Sequence, residues 1–139
     1  MLQKSFTCPS TNQTFPLAVH KVGRIQPVST SQHKYCELEI HVYRDLASFN
    51  NGDGACGSFN ARVVDCTIPN PDESQAGFEI LHYTDWFSSE SYEGAGYTLK
   101  SNAYGFLKTI TGDAHPFASN VRLYPQLPDY TTGTVDVGL

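Results

Sequence analysis

Between Trp86 and Arg122 the chain carries Ser91-Tyr92-Glu93-Gly94, Tyr104-Gly105-Phe106, Thr111-Gly112-Asp113 and, running just past the arginine, Val121-Arg122-Leu123-Tyr124. Aromatic residues, glycine turns and one late arginine recur there in an order that reads as a small β-sheet with a site on one face. Strands are expected at about 77–84, 95–101, 103–110, 119–124 and 133–137, each bounded by Gly, Asn, Asp or Pro.

Working outward, the clearest half-buried strand lies upstream, from Cys36 to Tyr43. Leu38, Ile40 and Val42 alternate with Glu37, Glu39 and His41, the two-residue period of a strand with one wet face. Asn50-Asn51-Gly52-Asp53-Gly54 is a strong turn signal, because these residues tolerate positive φ. Phe59 to Ile68 then returns as a second strand, so the two are expected to form a hairpin with a long tip. Before them, Thr14 reads as an N-cap, with Phe15 and Pro16 in a first turn and Phe15, Ala18, Val19 and Val22 at helical spacing. The spacing predicts a short helix over about 15–24. One early helix followed by antiparallel strands gives an α+β fold, a single domain over residues 1–139.

A chain of 139 residues supplies one hydrophobic core. Charged residues make up 17%, below the roughly 25% of ordinary globular chains, and aromatic residues 12%. The net charge of −5 provides no whole-molecule attraction for polyanions and argues against a general nucleic-acid binder. No apolar run is long enough to span a bilayer. Cys8, Cys36, Cys56 and Cys66 fit neither a zinc ribbon nor a CxxC redox motif. Two disulfides are the expected reading, with the pairing open among three connectivities. Together with the sequon Asn12-Gln13-Thr14 they point to a secreted protein.

The five histidines form no HExxH or other spacing with a stated mechanism, and no cluster of His, Cys or carboxylates has ligand spacing. Neither a metal nor another cofactor is expected. Asp85, Glu90 and Glu93 flank the aromatic run as solvated acids. Tyr92, Tyr104 and Arg122 are the candidates for a binding face, two rings for stacking and a cation for a phosphate.

At these residues the chain resembles the guanyl-specific fungal ribonucleases of the T1 type, which pack one helix on an antiparallel sheet. Tyr92-Glu93-Gly94 is similar to that family's Tyr-Glu-Gly after its first catalytic histidine, and Ala103-Tyr104-Gly105-Phe106 to its Tyr-Tyr-Glu-Trp strand. Thr111-Gly112-Asp113, Val121-Arg122-Leu123-Tyr124 and Gly133-Thr134-Val135 resemble the Ser-Gly-Asp turn, the arginine strand and the last strand, in that order. The resemblance covers roughly residues 85–139. It places the first histidine's position on Phe87, the catalytic glutamate's on Gly105 and the last histidine's on Val137, leaving Arg122 alone. Cleavage needs a base for the ribose 2′-OH, an acid for the leaving oxygen and a cation for the phosphorane. The resemblance therefore implies a pseudo-ribonuclease without catalytic residues.

A ribonuclease-like sheet stripped of its acid and base is similar to the secreted effectors of powdery-mildew fungi, and Phe6-Thr7-Cys8 matches their aromatic-x-Cys motif. This resemblance implies a monomeric virulence or avirulence effector, translocated into the host cell, that binds a host protein, is open to recognition by an immune receptor, and touches RNA weakly. Tyr92, Glu93, Tyr104 and Arg122 are its expected contacts. The alternative is an all-β βγ-crystallin-like Greek key, structural or toxin-like, resembled by Phe87-Ser88-Ser89-Glu90-Ser91-Tyr92-Glu93-Gly94.

Overall fold

The computed structural model describes residues 1–94 and 96–138. In chain order the elements are β1 (Leu2–Gln3), β2 (Phe6–Thr7), β3 (Thr14–Phe15), β4 (Val19–Ser29), β5 (Lys34–Tyr43), α1 (Leu46–Asn50) and β6 (Gly57–Ile68). There follow β7 (Phe78–Leu81), α2 (His82–Trp86), α3 (Ser89–Tyr92), α4 (Leu99–Ile110), β8 (Ala114–His115), β9 (Ala118–Arg122) and β10 (Val135–Asp136). One antiparallel sheet has the order β10-β1-β4-β5-β6-β7, and β2–β3 and β8–β9 are separate small ribbons. The fold is therefore α+β with an antiparallel sheet, and a chain with the twelve-residue α4 is not an all-β Greek key.

The centre of the sheet follows from the alternation in β5. Cys36, Leu38, Ile40 and Val42 are each at most 1% exposed, while Glu37, Glu39 and His41 between them face water. The hairpin to β6 forms as its sequence suggests, with Leu38 opposite Ala61 and Cys36 opposite Val63. On the wet face Arg62 Nε donates to Glu37 at 2.8 Å and Glu39 lies between Arg24 and His41. Such exposed pairs contribute at most about 1 kcal/mol each. The long tip of the hairpin holds α1, capped by the Asp45 carboxylate accepting from Ser48 N–H.

The helix expected over 15–24 is absent; β3 and β4 occupy that stretch. The misleading spacing is assembled from separate elements: Phe15 lies in β3, Ala18 closes the turn after it, and Val19 and Val22 lie on β4. His20, Val22 and Ile25 oppose Val42, Ile40 and Leu38, all on the inner face, and the pairing shifts between Val22 and Arg24. A β-bulge at Gly23 lets Val22 and Ile25 share that face across a three-residue step. Pro27 is accommodated because β1 pairs only with Val19 and His20, leaving the far half of β4 without a second neighbour.

The strands expected over 95–101 and 103–110 are also absent. Ala95 lies outside the described residues, and α4 spans most of the rest. Thr98 and Ser101 form a capping box, each side-chain oxygen accepting the other residue's backbone N–H at 3.0 Å. Ala103, Phe106 and Leu107 are then buried on one face, with Leu99 and Ile110 extending the stripe. Burying such side chains supplies about 1.5–3 kcal/mol apiece for the larger ones. Gly105 sits beside Trp86, where a Cβ would come within 2.9 Å of the indole. The stretch over 77–84 divides between β7 and α2, and the last two expected strands shorten to β9 and β10.

Phe106 is the centre of the core that α2 and α4 build over the sheet. The rings of Tyr124, Phe87, His82 and Trp86 surround it at centroid distances of 5.3, 5.4, 5.9 and 6.3 Å. Among the described residues no helix is long and apolar enough to cross a membrane.

Candidate functional site

The segment after β7 is braced by its own hydroxyls. Ser88 Oγ donates to the Thr84 carbonyl and Ser91 Oγ to the Ser88 carbonyl, both at 2.6 Å. Asn102 of α4 donates to the Trp86 carbonyl at 3.0 Å and to Ser91 Oγ at 3.3 Å, so α3 is tied to the main helix. Phe87, 1% exposed, is the apolar anchor beneath. Held this way, α2 and α3 face the end of the β4–β5 hairpin across a cleft of about 500 Å³. Ser29 and Lys34 come from the hairpin, and Thr84, Ser89, Glu90 and Tyr92 from the opposite wall. The cleft offers hydroxyls that donate and accept, one cation, one carboxylate and the rings of Tyr83, Phe87 and Tyr92.

Arg122 has a different neighbourhood. Its guanidinium donates to the Thr111 carbonyl at the end of α4 and to the Leu127 carbonyl, both at 2.8 Å. It therefore satisfies an orphan helix carbonyl and pins the C-terminal segment to the helix. A smaller cleft of about 260 Å³ adjoins it, lined by Arg62, Cys66, His82, His115 and Tyr124. His82 Nδ1 lies 2.8 Å from the Tyr124 hydroxyl. Burial pushes the His82 pKa down against the pull of Asp113, Asp85 and Asp65, and burial pushes the Tyr124 hydroxyl up. Both groups are held toward their neutral forms.

The residues singled out in the sequence are dispersed. Tyr92 lines the larger cleft, and Glu93 is exposed just beyond α3. The Tyr104 hydroxyl accepts from Val22 N–H at 3.0 Å, so this tyrosine spans from α4 to β4 and burial raises its pKa. Of the positions matched to catalytic residues, Phe87 is core, Gly105 receives Trp86, and Val137 donates its N–H to the Met1 carbonyl at the sheet edge. The four cysteines carry free thiols: Cys8 and Cys36 are buried, Cys56 is partly buried and Cys66 is exposed. Among the described residues no group of three or more His, Cys, Asp or Glu is placed to hold a metal ion.

One polar residue the sequence did not single out is His20, 1% exposed on β4. Its Nδ1 lies 2.7 Å from the Tyr130 hydroxyl and its Nε2 3.0 Å from the Lys4 carbonyl. With Nε2 donating to that carbonyl, Nδ1 accepts from Tyr130, and burial lowers the imidazole pKa to about 4. The only local signal was a histidine among Val19, Lys21 and Val22; its partners lie elsewhere in the chain. Compared with known protein families, curated proteins and solved structures, the chain matches none.

Proposed function

We propose that this chain is a non-catalytic binding protein of the secreted-effector type, which engages a host polypeptide through the cleft beside Tyr92. The observation that carries the reading is the engagement of Arg122 by two main-chain carbonyls. The one residue that the ribonuclease resemblance leaves for chemistry is thereby used as a helix clamp, and a guanidinium so occupied is not aimed at a phosphorane. With Phe87 in the core and Gly105 under Trp86, the matched positions serve packing.

The secreted, host-directed setting, virulent or recognised as avirulent, rests on the sequence resemblance, chiefly Phe6-Thr7-Cys8 and the order of motifs after Tyr92. The ribonuclease-like scaffold rests on the same motif order, against which stands the helical conformation of 99–110. A polypeptide suits the larger cleft better than RNA does. Its hydroxyls match amide N–H and C=O groups, and Lys34 and Glu90 supply both signs of charge. The RNA platform of Tyr92, Tyr104 and Arg122 is not assembled, because the latter two spend their polar groups on the backbone.

Two measurements test the reading. Guanosine-containing RNA incubated with concentrated protein is expected to give no product above buffer; cleavage that disappears in Arg122→Ala overturns the non-catalytic assignment. A displayed library of short peptides is expected to yield binders that Tyr92→Ala and Lys34→Glu weaken at least about tenfold, the size of a lost anchor contact. Binders indifferent to both substitutions place recognition elsewhere.

A further inference from the structure

The β2–β3 hairpin lies against the start of β6 over a cavity of about 430 Å³ whose lining includes both Cys8 and Cys56. The two thiols belong to one small apolar cluster with Phe6, Ala18, Val42 and Phe59. Their backbones are fixed independently, Cys8 N–H donating to the Gln13 carbonyl at 2.8 Å and Cys56 N–H to the Val42 carbonyl at 2.7 Å. The Phe6 ring lies over Gly57, where a Cβ would come within 2.7 Å of it, so the hairpin is seated next to Cys56.

We infer that Cys8 and Cys56 are an oxidation site that closes to an intramolecular disulfide on meeting a disulfide-exchange oxidant, while Cys36 and Cys66 remain thiols. Strand geometry removes the competing pairs. Cys36 opposes Val63, and Cys66 lies further along β6 by a three-residue step, about 10 Å at roughly 3.3 Å per residue. That odd step also places the two side chains on opposite faces, and a disulfide tolerates a Cα separation of only about 7 Å. Cys56, anchored at Val42, is about 20 Å along β5 from Cys36 and about 30 Å along β6 from Cys66 by the same rise. Cys8 packs in the same Val42 cluster, whereas Cys36 is buried in the main core.

The thiols divide the work. Ser10 Oγ lies 3.2 Å from Cys8 Sγ, and hydrogen bonding from Ser10 and Thr11 lowers the Cys8 pKa to about 7; burial raises that of Cys56. Cys8 thiolate attacks one sulfur of oxidised glutathione, releasing one glutathione thiolate, which takes a proton. Cys56, deprotonated to water, then attacks the Cys8 sulfur of the mixed disulfide and expels the second glutathione thiol. The protein loses two protons and two electrons in all, and the two glutathione thiols gain them. Cys8 must rotate away from Ser10 to make the bond, and the product staples the β2–β3 hairpin to the sheet.

Full-length protein treated with oxidised glutathione at neutral pH, digested without reduction and mapped by mass spectrometry tests this directly. One bridge, Cys8–Cys56, is expected in the wild type and in Cys66→Ser, and none in Cys8→Ser or Cys56→Ser. Alkylation of Cys66 in the native protein, and of Cys36 only after denaturation, is expected alongside. The thermal midpoint should rise by roughly 10 °C on oxidation of the wild type. A bridge through Cys36 or Cys66, or none while circular dichroism reports a folded chain, overturns the inference.

Discussion

His20 and His82 each place Nδ1 within reach of a tyrosine hydroxyl, at 2.7 Å from Tyr130 and 2.8 Å from Tyr124, yet the two pairs sit in opposite circumstances. His20 is 1% exposed and its second nitrogen meets the Lys4 carbonyl. His82 is partly exposed, lines the smaller cleft and has Asp113, Asp85 and Asp65 around it. The same two side chains therefore make a structural post in one place and a titratable wall in the other. What separates them is the fate of the second nitrogen: paired and dry, it fixes the tautomer and locks the ring; left at a cleft, it keeps the option of a proton.

The sharpest way to break this contrast is to remove both rings separately. His20→Ala is expected to cost roughly 3 kcal/mol, because it opens a cavity and orphans the Tyr130 hydroxyl and the Lys4 carbonyl, whereas His82→Ala costs about 1 kcal/mol. Urea denaturation with matched slopes measures both; equal losses would erase the distinction.

Acid titration should yield a comparable effect through charge. Above pH 6.5 neither the folded nor the unfolded His20 is protonated. As pH falls from 6.5 toward 4 the unfolded chain takes up a proton that the folded one refuses, so stability declines by roughly 3 kcal/mol over that window and no further below it. His20→Gln is expected to flatten this stretch of the stability profile; a slope unchanged by the substitution would assign the acid sensitivity to other groups. The His82 imidazole is expected to titrate below the ordinary histidine value and to do so inside the folded state, visible by NMR without unfolding.

Smaller effects refine the comparison. Tyr130→Phe leaves His20 Nδ1 buried without a donor and should cost about 1–2 kcal/mol, while Tyr124→Phe, beside a partly wet histidine, should cost under about 1 kcal/mol. Thermal melts of the two variants side by side are sufficient, and a reversed order would show that Tyr124 is the better buried donor.

How much of this was visible in the residues depends on whether the relevant physics was local. The alternation Leu38, Ile40, Val42 is local, so β5, its hairpin with β6 and the Asn50–Gly54 turn were legible. The bulge at Gly23 was not, because only the partner strand shows that Val22 and Ile25 share a face. In 99–110, Tyr104 and Thr109 argue for a strand by propensity, while Thr98, Ser101 and the run Leu99, Ala103, Phe106, Leu107, Ile110 argue for a helix by capping and period. The latter set won because its stripe has a core to enter. At the site, Tyr92, singled out for its ring, lines the larger cleft. The role of Arg122 was not legible, since nothing adjacent in sequence announces that the carbonyls of Thr111 and Leu127 will converge on it.

The placement of β1 between β4 and β10 sets a timetable for biosynthesis. Leu2 and Gln3 can join Val19 and His20 soon after these leave the ribosome, but their other edge waits for Val135 and Asp136. Throughout the translation of more than a hundred intervening residues, β1 presents unpaired amides on that edge. When β10 arrives, Lys108 on α4 meets Asp136 at 3.2 Å and Val137 closes on the Met1 carbonyl, so this late stitch joins β1 to β10. A nascent chain stalled short of that stitch would be a template for pairing with its neighbours on the same messenger.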